Sequence, residues 1–118
     1  SSPPEVTARD IRLIVKQLRT KLPQTKVLVL AIFPRGGGDD DGARQINMRV
    51  NDLIADIGDD RMVHYLNINE SFLNGRRLRQ SLIPDGTHPN EKGYAAWAEA
   101  MEPTISKLLG ENPVLDLE

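Results

Sequence analysis

The pattern of apolar and polar positions predicts three helices and two strands along the chain. Between Thr7 and Leu22 apolar side chains recur at helical spacing, so this segment is predicted to form an amphipathic helix that Thr7 caps and Pro23 ends. Its apolar positions are Ile11, Ile14, Val15, Leu18 and Leu22. The same spacing returns from Ala43 to Ile57, where Gly58 is the expected C-terminal cap.

A third helix is predicted to begin at Pro89 or Asn90 and to end at Gly110, with a kink at Pro103. Its apolar positions are Tyr94, Trp97, Ala98, Met101, Ile105 and Leu108. Since Tyr94 and Trp97 fall on this face, we expect them to be core residues rather than a platform for a substrate.

Two segments have the composition of strands. Lys26 to Phe33 is a continuous run rich in β-branched and leucine residues, which is typical of a parallel strand covered on both faces. Met62 to Ile68 mixes β-branched and aromatic residues and is expected to pair beside it. Pro34 to Gly42 is rich in turn formers and is expected to be a mobile loop. Asn69 to Pro84 is expected to be irregular, with one helical turn near Leu78 to Leu82.

The alternation of helices and strands predicts an α/β fold with parallel strands, right-handed crossovers and three α/β/α layers. Two strands are few for such a sheet, because sheets in globular domains usually have about four to six. The pattern therefore predicts the second half of a larger domain.

Composition narrows the function classes. The 118 residues carry a formal net charge of −2 with no basic stripe, so nucleic acid is not an expected partner. The longest apolar run, Val27 to Phe33, is too short to span a bilayer, and no membrane span is expected. The chain has no cysteine, which removes thiolate nucleophiles and cysteine-bound zinc. Cell compartment and oligomeric state stay open, a homo-oligomer included.

The two histidines have different surroundings. His64 alternates with its neighbours inside a predicted strand and is expected to be a packed or rim residue. His88 follows Asp85 by three residues on a loop flanked by Pro84 and Pro89. A carboxylate that accepts the Nδ1 proton holds a histidine in one tautomer and stabilises the imidazolium, as a general base requires. The same spacing also fits a turn aspartate and a histidine that caps the next helix.

Longer strings resemble one family. Residues 84–98, PDGTHPNEKGYAAWA, resemble the last block of the SGNH (GDSL-like) hydrolases, DxxHPNxxGYxxWA. The string VLVLAIFPRG resembles the corresponding strand and loop of the platelet-activating-factor acetylhydrolase-like branch, and INMRVNDLIADI and VHYLNINESFL continue the likeness in order. The resemblance implies a flavodoxin-like α/β/α hydrolase of carboxylic esters, with Asp85 as the orienting acid of a Ser-His-Asp triad and His88 as general base and then general acid.

The resemblance also implies that some conserved blocks of the family are absent from this chain. The family's serine, glycine and asparagine blocks do not occur in the sequence, so residues 1–118 are expected to be the C-terminal portion of a single SGNH hydrolase domain. We expect this chain alone to be inactive and to need a serine-bearing N-terminal half from the same gene, a second chain or a swapped neighbour. The expected substrate is a short acyl or acetyl ester. The alternative is a non-catalytic α/β binding or interaction module that lacks a nucleophile.

Other candidate motifs are weaker. Ser71 follows a strand but lacks small neighbours, so it is expected to be a turn or cap hydroxyl, and Ser81 and Ser106 do not have the setting of a nucleophile either. The run Gly36 to Gly38 lacks the residues of a phosphate loop, and Asp39 to Gly42 lacks the spacing of a calcium loop. No cofactor and no metal ion is therefore expected.

Overall fold

The computed structural model describes residues 2–38 and 41–110. Three helices, α1, α2 and α3, span Pro4–Lys21, Gly42–Ile54 and Glu91–Leu109. Four strands, β1 to β4, span Val27–Leu30, Val63–Leu66, Leu73–Asn74 and Arg77–Leu78, and a short 3-10 helix spans Asn69–Phe72. The strands form a parallel pair, β1 with β2, and an antiparallel hairpin, β3 with β4.

The parallel pair is confirmed, although both strands are shorter than predicted. Val27 lies opposite Val63, and a further backbone bond, 2.9 Å from the nitrogen of Ala31 to the carbonyl oxygen of Leu66, extends the ladder. Strand β1 then ends because the side chain of Asn51 forms hydrogen bonds with the next backbone N–H and C=O groups, which are those of Ile32. The amide of Asn51 accepts from the nitrogen of Ile32 at 2.7 Å and donates to its carbonyl oxygen at 3.0 Å.

Helices cover both faces of this sheet, which confirms the three-layer α/β/α class. On one face a cluster from α1 and α2 packs against the strand residues Val29 and Tyr65; its buried members are Ala8, Val50 and Ile54. On the other face α3 packs through Trp97 against a cluster that contacts Leu66; its buried members are Ile68, Phe72, Leu82 and Ile83. Adjacent residues of β2 thus point to opposite layers, as the pleat of a strand requires.

The predicted caps of the first two helices are wrong. Helix α1 begins at Pro4, because proline suits the first turn of a helix, and Thr7 lies inside the helix. The side chain of Asp41 caps α2 by accepting from the backbone nitrogen of Arg44 at 3.0 Å. Helix α2 ends at Ile54 with Ala55 as its C-cap, so Gly58 does not serve as the cap.

Helix α3 has the predicted bounds. Asn90 is its N-cap, and its side chain accepts from the backbone nitrogen of Gly93 at 2.9 Å. Gly110 is its C-cap in the left-handed conformation, with φ of 73°. The helix continues through Pro103, and a kink there stays a prediction.

The two aromatic residues of α3 differ from each other. Trp97 is half-buried, and its ring meets that of Phe33 edge to face at a centroid distance of 5.1 Å, so the core assignment of Trp97 is confirmed. Tyr94 is 52% exposed, so its core assignment is wrong. It lies in the first turn of α3, and its ring meets that of Trp97 at a centroid distance of 5.7 Å with the two planes tilted by 32°.

Part of the predicted apolar face of α1 is uncovered. Val15 is buried, yet three of the expected core positions are exposed: Ile14 by 56%, Leu18 by 39% and Leu22 by 50%. Within residues 2–38 and 41–110, β1 has a strand partner on only one edge. The helix is confirmed, but the described residues do not bury its whole apolar stripe.

The segment predicted to be irregular contains the 3-10 helix and the hairpin. Gly75, with φ of 64°, occupies the first position of the two-residue hairpin turn, a backbone conformation that favours glycine. The predicted loop from Pro34 to Gly42 includes Asp39 and Asp40, which lie outside the described residues. None of the helices in the described ranges is long and apolar enough to cross a bilayer.

We predict that Gly93→Ala destabilises the chain. A Cβ at this position would lie 2.4 Å from the carbonyl oxygen of Leu82 and 2.8 Å from the Cβ of Pro89. Rotation of a side chain cannot relieve a contact with backbone, so we expect the free energy of unfolding to fall by roughly 1–3 kcal/mol, although alanine has the higher helix propensity. Urea denaturation measures the change.

Gly42→Ala is the matched control, since Gly42 lies in the first turn of α2 and nothing is within 4 Å of the position that a Cβ would take there. We expect this variant to be unchanged or more stable by roughly 0.4–1 kcal/mol. Equal stability of the Gly93 and Gly42 variants would contradict the close packing of α3 on the Leu82 segment.

Candidate active site

The loop that carries Asp85 and His88 is fixed at both ends. Leu82 and Ile83, just before it, are 5% and 1% exposed in the core under α3. Asn90, just after it, donates from its backbone nitrogen to the carbonyl oxygen of Leu82 at 2.9 Å and from its side chain to that of Ser81 at 3.0 Å. The cap of α3 therefore also closes the loop, and this second role of Asn90 was not predicted.

Asp85 accepts three hydrogen bonds within the loop. One carboxylate oxygen accepts from the backbone nitrogens of Thr87 at 2.8 Å and His88 at 2.7 Å. The other oxygen lies 2.8 Å from Nδ1 of the His88 ring. The chain reverses at Gly86, whose φ of 79° favours glycine. The predicted contact between Asp85 and Nδ1 of His88 is confirmed.

These contacts bear on the ionisation of Asp85 and on the tautomer of the His88 ring. The hydrogen bond from the His88 ring, followed by those from the His88 and Thr87 backbone nitrogens, holds the pKa of Asp85 far below its ordinary value of 3.8. Asp85 is therefore a carboxylate at neutral pH and can only accept a hydrogen bond. Nδ1 of His88 must then carry the proton, which leaves Nε2 as the basic nitrogen of the neutral ring.

The outer side of His88 is open. Its side chain is 77% exposed, and Nε2 has no hydrogen-bond partner within residues 2–38 and 41–110. A hydroxyl group that approached Nε2 to about 3 Å would be within reach of a general base.

The loop that follows β1 also contacts this site. The backbone nitrogen of Gly36 donates to the carbonyl oxygen of Gly86 at 3.1 Å. Gly36 has φ of 81°, and a Cβ there would lie 2.2 Å from the carboxyl carbon of Asp41. The predicted site residues thus lie beside the C-terminal end of a parallel strand, the usual place for a site in α/β folds.

An open cleft of about 740 Å³ borders the same loops. Its walls include Gly36, Asp85 and Gly86, together with the hairpin residues Asn74 and Arg77. Ser81 also lines the cleft, and its carbonyl oxygen accepts a hydrogen bond from the side chain of Asn90. The cleft borders Asp85 and Gly86, whereas His88 is not among its lining residues.

The other candidate residues have positions and contacts that indicate a structural role. His64 is half-buried in β2, with Nε2 3.0 Å from the carbonyl oxygen of Arg61, as expected for a rim residue. Ser106 is 4% exposed and donates to the carboxylate of Glu102 at 2.8 Å. Ser71 lies in the 3-10 helix, and its hydroxyl is not hydrogen-bonded to His88. The described ranges contain no group of three or more histidine, aspartate or glutamate residues that could hold a metal ion.

The chain thus combines a three-layer α/β/α fold with a carboxylate-bound histidine on a loop. Comparison with known families identifies its class. The model of the GDSL-like lipase/acylhydrolase family matches residues 1–96, and the chain belongs to this family.

Individual relatives are platelet-activating factor acetylhydrolase subunits. The chain is 28% identical over 119 residues to the IB subunit alpha1 of Pongo abelii, in an alignment that covers 95% of this chain and 51% of the relative. It is 31% identical over 111 residues to the IB subunit alpha2 of Rattus norvegicus, covering 92% of this chain and 48% of the relative. The chain therefore spans about half the length of these relatives.

A solved structure has the same fold. A protein from Streptococcus pneumonia, named for platelet activating factor, superposes with a TM-score of 0.70 at 15% sequence identity. The match covers 87% of this chain and 52% of that protein. At this identity the likeness bears on the fold alone.

We predict an unusually acidic titration of Asp85. Because its folded pKa is below the ordinary 3.8, the stability that its ionised form contributes is present above that value and is lost as the pH falls through the folded pKa. The carboxyl carbon of Asp85, followed by NMR, should titrate well below 3.8. In His88→Ala its midpoint should rise, but only partly, because two backbone donors remain.

Asp56 is the internal control for this titration. Its pKa is lowered by a hydrogen bond and charge attraction from Arg12, a contact that His88 does not share. The Asp56 midpoint should therefore not change in His88→Ala. An Asp85 midpoint near 3.8 in the unsubstituted chain would contradict the bond to His88.

Proposed function

We propose that this chain supplies Asp85 and His88 to the Ser-His-Asp triad of a carboxylic ester hydrolase. The observation that carries the proposal is the 2.8 Å contact between the Asp85 carboxylate and Nδ1 of His88, with Nε2 on an open side of the ring. Membership of an acylhydrolase family supports the same reaction class.

The proposed reaction uses His88 twice. Nε2 takes the proton of a serine hydroxyl as its oxygen attacks the ester carbonyl carbon, and the imidazolium then gives this proton to the departing alcohol. Water next attacks the acyl-serine, His88 takes its proton, and the proton returns to the serine as the carboxylic acid leaves. Asp85 stays ionised throughout and stabilises the imidazolium, which its low pKa supports.

We also propose that residues 1–118 form the C-terminal portion of one hydrolase domain. Three observations support a serine-bearing remainder that packs against this chain. The chain spans about half the length of its relatives. Within the described ranges β1 has one open edge, and three apolar residues are exposed, Ile14 and Leu18 in α1 and Leu22 just after it. A further strand and helices would cover these surfaces, as a parallel sheet requires.

The proposed substrate is a short acyl ester, with acetyl esters first among them. The names of the relatives, which are acetylhydrolase subunits, support this choice. The serine, the oxyanion donors and the contacts that select the alcohol would come from the remainder of the domain.

We predict that esterase activity requires both halves. Hydrolysis of p-nitrophenyl acetate should be at background level for this chain alone, because a base without a nucleophile or oxyanion donors cannot transfer an acyl group. Activity should appear when the serine-bearing half is supplied, and should fall by at least about 10³-fold in His88→Ala. Release of p-nitrophenolate measures each rate.

His64→Ala is the matched control, since it removes the other histidine and should leave the rate of the combined protein within about twofold. Activity of the 118-residue chain alone that is lost in Ser71→Ala would contradict the proposal and make Ser71 the nucleophile. Absence of activity in the combined protein on all acyl esters tested would favour the non-catalytic module instead.

We further predict that chelators do not inhibit the combined protein. The proposed mechanism stabilises charge through Asp85 and oxyanion donors and assigns no role to a metal ion. The rate on p-nitrophenyl acetate should be equal before and after dialysis against EDTA, and it should fall as the acyl chain is lengthened. A loss on chelation that added Zn²⁺, Mg²⁺ or Ca²⁺ restores would contradict this mechanism.

A further inference from the structure

Arg44 is a buried cation that holds backbone rather than substrate. It lies in the first turn of α2 and is 2% exposed. Its guanidinium donates to three carbonyl oxygens: from Nε to Arg35 at 2.8 Å, from Nη2 to Gly36 at 3.0 Å, and from Nη1 to Arg76. One side chain therefore joins the loop after β1 to the turn of the β3–β4 hairpin.

Both joined segments lead to the Asp85 loop. The carbonyl oxygen of Gly36 accepts from Arg44, and the backbone N–H of Gly36 donates to the carbonyl oxygen of Gly86. Gly86 is the residue directly after Asp85. On the other side, Arg79 follows β4 of the hairpin, and its backbone nitrogen donates to the carbonyl oxygen of Phe72 at 2.8 Å. The nitrogen of Leu82 then donates to the carbonyl of Arg79 at 2.9 Å, and Leu82 begins the anchor of the Asp85 loop.

A guanidinium is suited to this task. Burial of a charged group is costly unless its hydrogen bonds are made inside the protein, and packing alone would favour an apolar side chain at this position. The planar fork of arginine presents five N–H donors in fixed directions, whereas a lysine ammonium concentrates its donors at one point. Lysine at position 44 could not reach three separated carbonyl groups at once.

We propose that Arg44 is a positioning residue for the Asp85–His88 pair, which acts by fixing the Gly36–Gly86 contact. Loss of its guanidinium would free the carbonyls of Arg35 and Gly36 and loosen the loop that supports Gly86. The Asp85 carboxylate would then hold His88 less firmly. The catalytic consequence rests on the proposed esterase function, but the structural consequence does not.

The test compares Arg44→Met and Arg44→Lys with the unsubstituted 118-residue chain. NMR follows the midpoint of the Asp85 carboxyl carbon and the hydrogen exchange of the Gly36 amide. In Arg44→Met the Asp85 midpoint should rise towards 3.8 and exchange at Gly36 should accelerate by at least about tenfold, and Arg44→Lys should give smaller changes of the same sign. Arg49→Met is the matched control, since Arg49 is an exposed arginine of the same helix, and it should change neither quantity.

A merely structural role gives a different result. Arg44→Met would then lower the unfolding temperature while the Asp85 midpoint and Gly36 exchange in the folded chain stayed unchanged, and this outcome would overturn the proposal. If neither Arg44 variant folds, the proposal is tested by the hydrogen exchange of the Gly36 amide in the unsubstituted chain. The proposal requires the Gly36 amide to be as protected as the amides within α2, and exchange at the rate of an open loop would contradict it.

The kinetic consequence is measured on the protein combined with its serine-bearing half. We expect Arg44→Met to lower kcat by roughly tenfold to a hundredfold with little change in KM, since misplacement of a catalytic group affects the chemical step. If the combined protein has no esterase activity, the proposed function fails while the NMR result still decides the role of Arg44.

Discussion

The burial of Leu82 and Ile83 is the constraint on which the candidate site depends. These two side chains insert into the layer between the sheet and α3, next to Phe72 and Ile68. Asn90 then closes the loop back onto the carbonyl of Leu82, so that a short span must turn sharply between two fixed points. Within that span, Asp85 becomes the acceptor for two backbone N–H groups and the His88 ring. The geometry of the pair is thus a consequence of core packing on one side and helix capping on the other.

Short-range sequence patterns predicted the parts of this arrangement that depend on neighbouring residues. The bond between Asp85 and His88 closes within three positions, and Asn90 caps a helix that begins at the next residue. The apolar run of β1 also indicated a parallel strand, because a strand covered on both faces has no polar side to alternate with. Each of these features is determined by residues that are close together in the sequence.

Other features could not be predicted because they depend on distant partners or on weak local preferences. The hairpin has strands of only two residues around the turn Gly75-Arg76, and such strands are too short to show a pattern of apolar positions. The hydrogen bonds from Gly36 to Gly86 and from Arg44 to Arg76 join segments that are far apart in the chain. Periodicity placed Tyr94 on the apolar face of α3, but Tyr94 is 52% exposed in the first turn of that helix, where its ring contacts that of Trp97.

The central claim is that this chain contributes the base, and that the nucleophile lies outside residues 1–118. The most direct measurement is to treat the combined protein with a fluorophosphonate, which phosphonylates an activated serine, and to locate the adduct by mass spectrometry. The account predicts one modified serine in the other half and slow labelling of that serine when His88 is replaced by alanine. An adduct that depends on His88 on any serine of residues 1–118, such as Ser71, Ser81 or Ser106, would contradict it.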